Sequence, residues 1–320
     1  MEGGREGLRW TCAVLTLLAA IPPAAGQSIA VLIEHNHWKR ARALNKPTTA
    51  ETMARQARID WAFSNETAAI QHAEQAIALD PKNSSYHFYL AQILCEAAGR
   101  ANKLRAIGLA RRGKAEIDTA VSLDPHNTFA LFARMLFFYE APGLVGGNQP
   151  QAFATAAEIE RIEPARGNFG RARLAAHNAK TASQAEGYYL KAIELNPRYY
   201  SAMVELANFY RTAVPPRFDL AEKYARQAQQ VEPDRVTAFT VLAETYAATG
   251  RFAELEQVLE QSEGNVPDDL APDYHAAAIL IRQPQERERA RRHLTKYLSQ
   301  EPEAREPTTA EAKQLLGRIK

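Results

Sequence analysis

Between Val236 and Pro267 the chain reads VTAFTVLAETYAATGRFAELEQVLEQSEGNVP, and its apolar positions fall into two helical stripes. Phe239, Leu242, Ala243 and Tyr246 recur at the three- and four-residue spacing of one helix face. Gly250 breaks that helix, and Leu255, Leu259 and Ser262 repeat the spacing before Pro267. The stretch predicts a helical hairpin of about 34 residues. Its large side chains alternate with a small one, Ala243, which lets two helices approach and dock on another pair. Such a hairpin cannot bury its apolar face alone, so neighbours of the same type are expected.

Prolines that close such hairpins set the register for the rest of the chain. Pro81, Pro125, Pro164, Pro197, Pro233 and Pro267 are separated by 44, 39, 33, 36 and 34 residues, a period near 34 with insertions. Five of them end the words ALDP, SLDP, RIEP, ELNP and VEP. Asp or Asn before proline favours a turn, because that residue is pushed out of helical geometry while its short side chain bonds nearby backbone. With this hairpin and this period the chain resembles the tetratricopeptide (TPR) repeat family. The resemblance implies an all-α fold: a TPR-like right-handed superhelical solenoid of about seven antiparallel helix pairs over residues 27–306, without a sheet. Residues 307–320 are expected to form a capping helix, opened by a Thr308/Glu311 capping box and presenting Leu315, Leu316 and Ile319 to the last pair.

Individual units add detail. SIAVLIEHNHWKRARAL, residues 28–44, predicts one helix with Ile29, Leu32, Ile33 and Trp38 toward a core and Lys39, Arg40 and Arg42 outward. Pro47 ends it, and Thr48 or Thr49 caps the next helix. Ala69, Ala73 and Ala76 line the seam of a helix over residues 66–80. The unit between Pro81 and Pro125 carries about ten extra residues around GRANKLRAIGLARRGK, where Arg100, Lys103, Arg105, Arg111, Arg112 and Lys114 occur with no acid between Glu96 and Glu116. This run reads as a solvated face, with an acidic partner or lipid as the alternative. Glu286, Arg287, Glu288, Arg289, Arg291 and Arg292 form the charged face expected at the polar end of an array.

The next unit departs from a simple repeat. TFALFARMLFFYE holds more aromatic and aliphatic surface than one helix stripe can bury, and it runs into APGLVGGNQP. Asp124, Pro125, Ala130, Phe138, Tyr139, Ala141, Pro142, Gly143, Gly146 and Gly147 carry a resemblance to exported bacterial TPR proteins with an APG-x-x-GG loop. The words ARG after Pro164 and ELANFY from Glu205 extend it over most of the chain. That group is defined by architecture, so the resemblance implies no active site. Leu144 and Val145 are expected to fold inward against Phe132, Leu136 or Tyr139, either as part of a recognition surface or as a plug of the core.

Residues 1–26 set Arg5 and Arg9 before an apolar run from Trp10 to Ile21, then Pro22, Pro23 and small residues. This is the layout of a secretory signal peptide with cleavage before Gln27. Its apolar run of about 12 residues is short of a membrane span, although an uncleaved anchor is the alternative. A secreted or periplasmic location and no transmembrane segment in the mature chain are expected. Composition agrees with a soluble folded body, 46% hydrophobic and 24% charged, and the net charge of +2 gives no global field that points to nucleic acid. Cys12 departs with the signal, so Cys95 is expected to be a lone thiol acting as a small apolar residue.

No catalytic residue, cofactor or metal is expected. GLVGGN lacks the lysine and hydroxyl of a phosphate-binding loop, and GxSxG, HExxH and CxxC do not occur. His35 and His37 stand two apart, which on one helix keeps them off a common face and argues against a shared metal. Binding candidates lie instead on the inner faces of first helices and on the loop: Phe88, Gln92, Phe132, Leu136, Tyr139, Leu144, Val145, Arg171, Asn178, Asn208 and Arg211. Val204 belongs to the same inner set. Chaperone-binding TPR domains grip a peptide carboxylate with Lys, Asn and Arg from consecutive units, and Asn208 alone fits that pattern. The leading expectation is an exported scaffold that binds a protein or extended peptide through its concave face without catalysis. The competing one is a helical envelope enzyme or small-molecule binder that uses a pocket around residues 129–148.

Overall fold

The computed structural model describes residues 27–177, 181–304 and 307–319, which form seventeen α-helices and no strand. Two short helices come first, α1 (Ile29–Glu34) and α2 (Trp38–Leu44). Seven packed pairs follow: α3 (Ala50–Ala62) with α4 (Glu66–Leu79), α5 (Ser84–Arg100) with α6 (Lys103–Leu123), α7 (Thr128–Glu140) with α8 (Gln149–Ile162), α9 (Pro164–Ala176) with α10 (Ala182–Leu195), α11 (Tyr200–Thr212) with α12 (Phe218–Val231), α13 (Val236–Thr249) with α14 (Phe252–Asn265), and α15 (Ala271–Leu280) with α16 (Arg287–Tyr297). The last helix is α17 (Thr309–Gly317). Each pair stacks on the next, so the molecule is a helical solenoid of seven hairpins among the described residues.

Local chemistry explains the boundaries. Asn65, Asn83, Asn102, Asn127 and Asn148 each cap a helix N-terminus by accepting a bond from a backbone N–H of the first turn. Gly250 ends α13 in the left-handed conformation, φ 70°. Phe239, Leu242, Ala243 and Tyr246 are fully buried, and Ala69, Ala73 and Ala76, like Ala221, Ala225 and Ala228, form seams where helices approach closely. Thr49 and Thr308 both make capping boxes, the latter with Glu311. Leu315, Leu316 and Ile319 pack on the last pair, and a single apolar cluster runs from Phe169 to Ile319.

A polar device recurs at the repeat period. Tyr210 donates to Glu186 (2.8 Å) and Arg217 bonds the same carboxylate (2.7 Å). One unit on, Tyr246 donates to Glu222 (2.6 Å) and Arg251 bonds that carboxylate. Both tyrosines come from a first helix and both glutamates from the preceding second helix, so each device ties neighbouring elements as the apolar seam does.

Three expectations need correction. Residues 28–44 are two helices, because Asn36 takes a left-handed φ of 66° and His37 starts afresh. Asparagine tolerates that region better than most residues. Lys39 and Arg40 are partly covered and only Arg42 stays exposed. All three reach the far end of the array: Arg40 and Arg42 pair with Asp268 and Glu301 at 2.6 and 2.9 Å, and Lys39 Nζ lies 3.5 Å from the Glu303 carboxyl. Pro164 closes no turn: Glu163 caps both α8 and α9, and Pro164 is the first residue of α9. The extra residues before Pro125 lengthen helices, so α5 has 17 residues and α6 has 21. The proposed signal peptide, residues 1–26, lies outside the described residues. Among those described, no helix is long and apolar enough to cross a membrane.

Candidate functional site

The long helices create the main cleft. A helix of 21 residues spans roughly 31 Å and one of 13 residues roughly 20 Å, so α5 and α6 overhang α7 (21 and 13 residues for α6 and α7). The chain from Ala141 folds into the step that remains. Pro142 opens a single 3-10 turn over Gly143–Val145, and Gly146 leaves it with φ 103°. Gly147 then passes so close to Ala141 that an added Cβ would lie 1.7 Å from the Ala141 carbonyl oxygen. No side chain fits there, which explains the second glycine of the loop.

This loop, α5, α6 and α7 enclose an apolar cleft of about 760 Å³. Phe88, Gln92, Phe132, Leu136, Leu144 and Val145, all expected at the site, line it. Sequence reasoning missed the contribution of α6, through Ile107, Ala110 and Ile117, whereas Phe129 falls within the 129–148 pocket of the competing expectation. Leu144 and Val145 divide the two roles proposed for the loop. Val145 is 6% exposed and packs with Ala91, Ile117 and Phe137, whereas Leu144 is 63% exposed on the rim. Neither turns onto Tyr139, which leaves the cleft and packs edge to face on Phe153 at 6.4 Å. Glu96 and Glu140 are the acidic groups of the lining.

Cys95 also lines this cleft, and it is a free thiol. Burial, with Glu96 and Glu140 nearby, pushes it up to about 12, so it is protonated at neutral pH. An alanine Cβ at Gly113 would sit 2.6 Å from its sulfur, which marks Cys95 as the contact where α5 meets α6. We expect Ellman's reagent to label it slowly in the folded protein and rapidly after unfolding. Fast labelling at pH 7 would contradict this packing role.

The remaining candidates separate. Asn208 and Arg211 belong to a second, polar cleft of about 450 Å³, shared with Glu244, Asp269, His275 and Glu303 and bounded by Asn36 and Trp38. Asn208 accepts from Arg211, which pairs with Glu244 at 3.0 Å, and His275 approaches Glu244 at 3.3 Å. Arg171 is in neither cleft. It braces the α8–α9 corner by bonding Glu160 at 2.8 Å. Asn178 lies outside the described residues. The candidates in a cleft are therefore divided between an apolar cleft and a polar one, the latter bounded by Asn36 and Trp38.

The basic run of α6 is largely engaged within the chain. Arg105 pairs with Glu66, Arg112 with Glu74 and Lys114 with Asp118, and Arg100 lies over the Trp61 ring at 5.0 Å. Most histidines are likewise held by acids of other helices: His72 by Asp60, His87 by Glu116 and His293 by Asp273, at 2.6 to 2.8 Å.

No protein-family model matches this chain, and no curated protein matches it. Among solved structures it is similar to the human IFIT1 dimer with m7Gppp-AAAA at 14% identity, covering 91% of this chain and 73% of that one with a TM-score of 0.54. It is also similar to a tetratricopeptide repeat protein from Parabacteroides merdae (17% identity, 84% and 98% coverage, TM-score 0.48). A thermophilic TPR protein of Thermus thermophilus gives 19% identity, 73% and 100% coverage and a TM-score of 0.42. At these identities the likeness is one of fold, and with seven stacked hairpins at a period near 34 the fold is that of a tetratricopeptide-like helical solenoid.

Proposed function

We propose that this protein is an exported, non-catalytic scaffold that binds another protein through an apolar anchor seated in the cleft between α5, α6, α7 and the 141–145 loop. The observation that carries it is the pairing of an apolar cleft with exposed apolar residues at its mouth, Leu144 and Phe129. Water-exposed leucine and phenylalanine beside a cleft mark an interaction surface. A protein segment that inserts one or two aromatic or aliphatic side chains would cover both the rim and the interior, as interface anchors do. Glu96 and Glu140 disfavour an anionic head group at that site. Chemistry is not proposed there: the titratable side chains of the lining are two carboxylates and a protonated thiol. A location beyond the cytoplasm rests on the sequence of residues 1–26 alone. A protein partner, and not a nucleic acid, is supported by the engagement of Arg105, Arg112 and Lys114 with acids of their own chain. Free cations along a groove would be needed to track a phosphate backbone.

A second reading has one observation in its favour. The volume of about 760 Å³ lies within the range typical of small-ligand pockets, so a free apolar molecule is the competing occupant.

Capture from a cell-envelope extract, with parent and variants as bait, separates these readings. Leu144→Ser is expected to abolish recovery of the partner at unchanged stability, because its side chain is already in water. Val145→Ser is expected to lower stability by about 2 kcal/mol, through lost burial and an unpaired hydroxyl. Ala133→Phe, which fills the cleft, should also end capture. Partner recovery that survives both Leu144→Ser and Ala133→Phe would reject the cleft as the binding site. No partner but a co-purified apolar metabolite would install the second reading, and a salt-resistant complex with RNA would refute the protein-partner assignment.

A further inference from the structure

The break at Asn36 has a chemical result. Had residues 28–44 been one helix, His35 and His37 would point apart. The left-handed turn at Asn36 ends α1 at His35 and begins α2 at His37, and the two rings come to a centroid distance of 6.3 Å. The N-terminal helices then lie against the corner between α12 and α13. There the word VEPD places Asp234, and its Oδ2 lies 3.0 Å from His35 Nδ1 and 3.6 Å from His37 Nε2. One ligand atom from each of the three residues lies within 4.8 Å of the other two. In a tetrahedral zinc site, bonds of roughly 2.0–2.1 Å put neighbouring ligand atoms roughly 3.3 Å apart.

His37 carries the decisive detail. Its ring is 1% exposed, and its Nε2 makes no hydrogen bond, since 3.6 Å to Asp234 is too long for one. A buried ring nitrogen without a partner is costly unless something fills the gap. A proton shared by His35 and Asp234 satisfies those two groups and leaves His37 unmet. A cation at the centre of the triangle satisfies all three. Metal binding takes a neutral imidazole and an ionised carboxylate, so affinity at such a site falls as pH is lowered. Gln27 supplies outer support: its Nε2 donates to Asp234 Oδ2 at 2.8 Å, and its own buried Oε1 has no hydrogen-bond partner.

We propose that His35, His37 and Asp234 bind one divalent ion of the Zn²⁺ class, with the fourth position taken by Gln27 Oε1 or water. Two imidazoles and a carboxylate form a borderline donor set suited to zinc, and poorly suited to calcium or magnesium. The ion joins residues far apart in sequence, so its role is to clasp the N-terminal helices to the α12–α13 corner.

The test uses Zn²⁺ alone, added to the untagged protein after chelation. Titration calorimetry is expected to show one equivalent bound, with a higher melting temperature and proton-linked affinity. His37→Gln and Asp234→Asn should each weaken binding at least about tenfold. His72→Gln, which removes a histidine–carboxylate pair elsewhere, should leave binding unchanged. Co²⁺ in place of Zn²⁺ should give the intense visible bands of a tetrahedral ion. If a variant fails to fold, as judged by circular dichroism, the Co²⁺ spectrum of the parent still decides. No binding at micromolar metal, binding indifferent to His37, or a purely octahedral Co²⁺ spectrum would overturn the assignment.

Discussion

Gly167→Ala is expected to destabilise the protein by about 3 kcal/mol or more, even though alanine is the better helix former. The cause is the corner between α8 and α9. With Glu163 serving both helices, the chain reverses without a loop, and Gly167 of α9 rides on the backbone of α8. An added Cβ would lie 2.2 Å from Glu160 Cα and 2.4 Å from its nitrogen. Neither atom is a flexible side-chain end, so the two helices must separate. Separation would also loosen Asn168 and Arg171, which bond the Glu160 carboxylate across the same corner at 3.2 and 2.8 Å. The identical change at Gly187, within α10 and with open space where its Cβ would go, should have the opposite sign, a gain of up to about 1 kcal/mol. Urea denaturation midpoints of the two variants measure both effects. Equal shifts would mean that the α8–α9 approach is not a constraint.

The second large effect depends on pH. Glu303 is 4% exposed, beneath the N-terminal helices, and accepts from the Lys39 backbone N–H at 2.9 Å. Burial, reinforced by Asp268 and Asp269, pushes its carboxyl up to about 8, although the Lys39 charge opposes this. The folded protein therefore holds a proton that the unfolded chain has released. Where the native state binds more protons, stability falls as pH rises. The contribution of Glu303 is fully present below the ordinary glutamate pKa and declines from about pH 4.5 to about 8, the folded value. Glu303→Gln mimics the protonated form. It should match the parent near pH 4.5 and become more stable by on the order of 3 kcal/mol at pH 8. Melting curves of both proteins across that range give the difference, and a constant offset would show that Glu303 does not titrate in this window. Asp269, raised by burial in the same way, adds to the parent's decline.

Most of the architecture could be read from the chain because repeats encode it locally. The stripe Phe239, Leu242, Ala243, Tyr246 needs only helical spacing, and the cap at Thr308 needs only its own Glu311. Of the six cleft residues found, Phe132, Leu136, Leu144 and Val145 came from the apolar excess of α7 and the loop after it, one continuous stretch, and Phe88 and Gln92 from the helical register of α5. What escaped depends on partners far away in sequence. The ARG word was visible, but the reason for its glycine is the Glu160 backbone. Tyr246 is bound to Glu222 and Arg217 to Glu186 across 24 and 31 positions, with no spacing rule to announce them. The two histidines were set aside on helical geometry, which a single left-handed asparagine removed.

The N-terminal helices that reach the far units alter how the molecule comes apart. In an open array each unit depends on its neighbours, so the terminal ones peel away first and the rest follow stepwise. Here His35 meets Asp234 across 199 positions and Lys39 meets Glu303 across 264. The first unit cannot leave without breaking its hold on the last three. Fraying of the two ends thus becomes one event. Contacts so distant in sequence form only after the intervening hairpins are in place, because the entropy of closing so long a loop must otherwise be met in full. The polypeptide therefore assembles as a chain and unfolds as a ring.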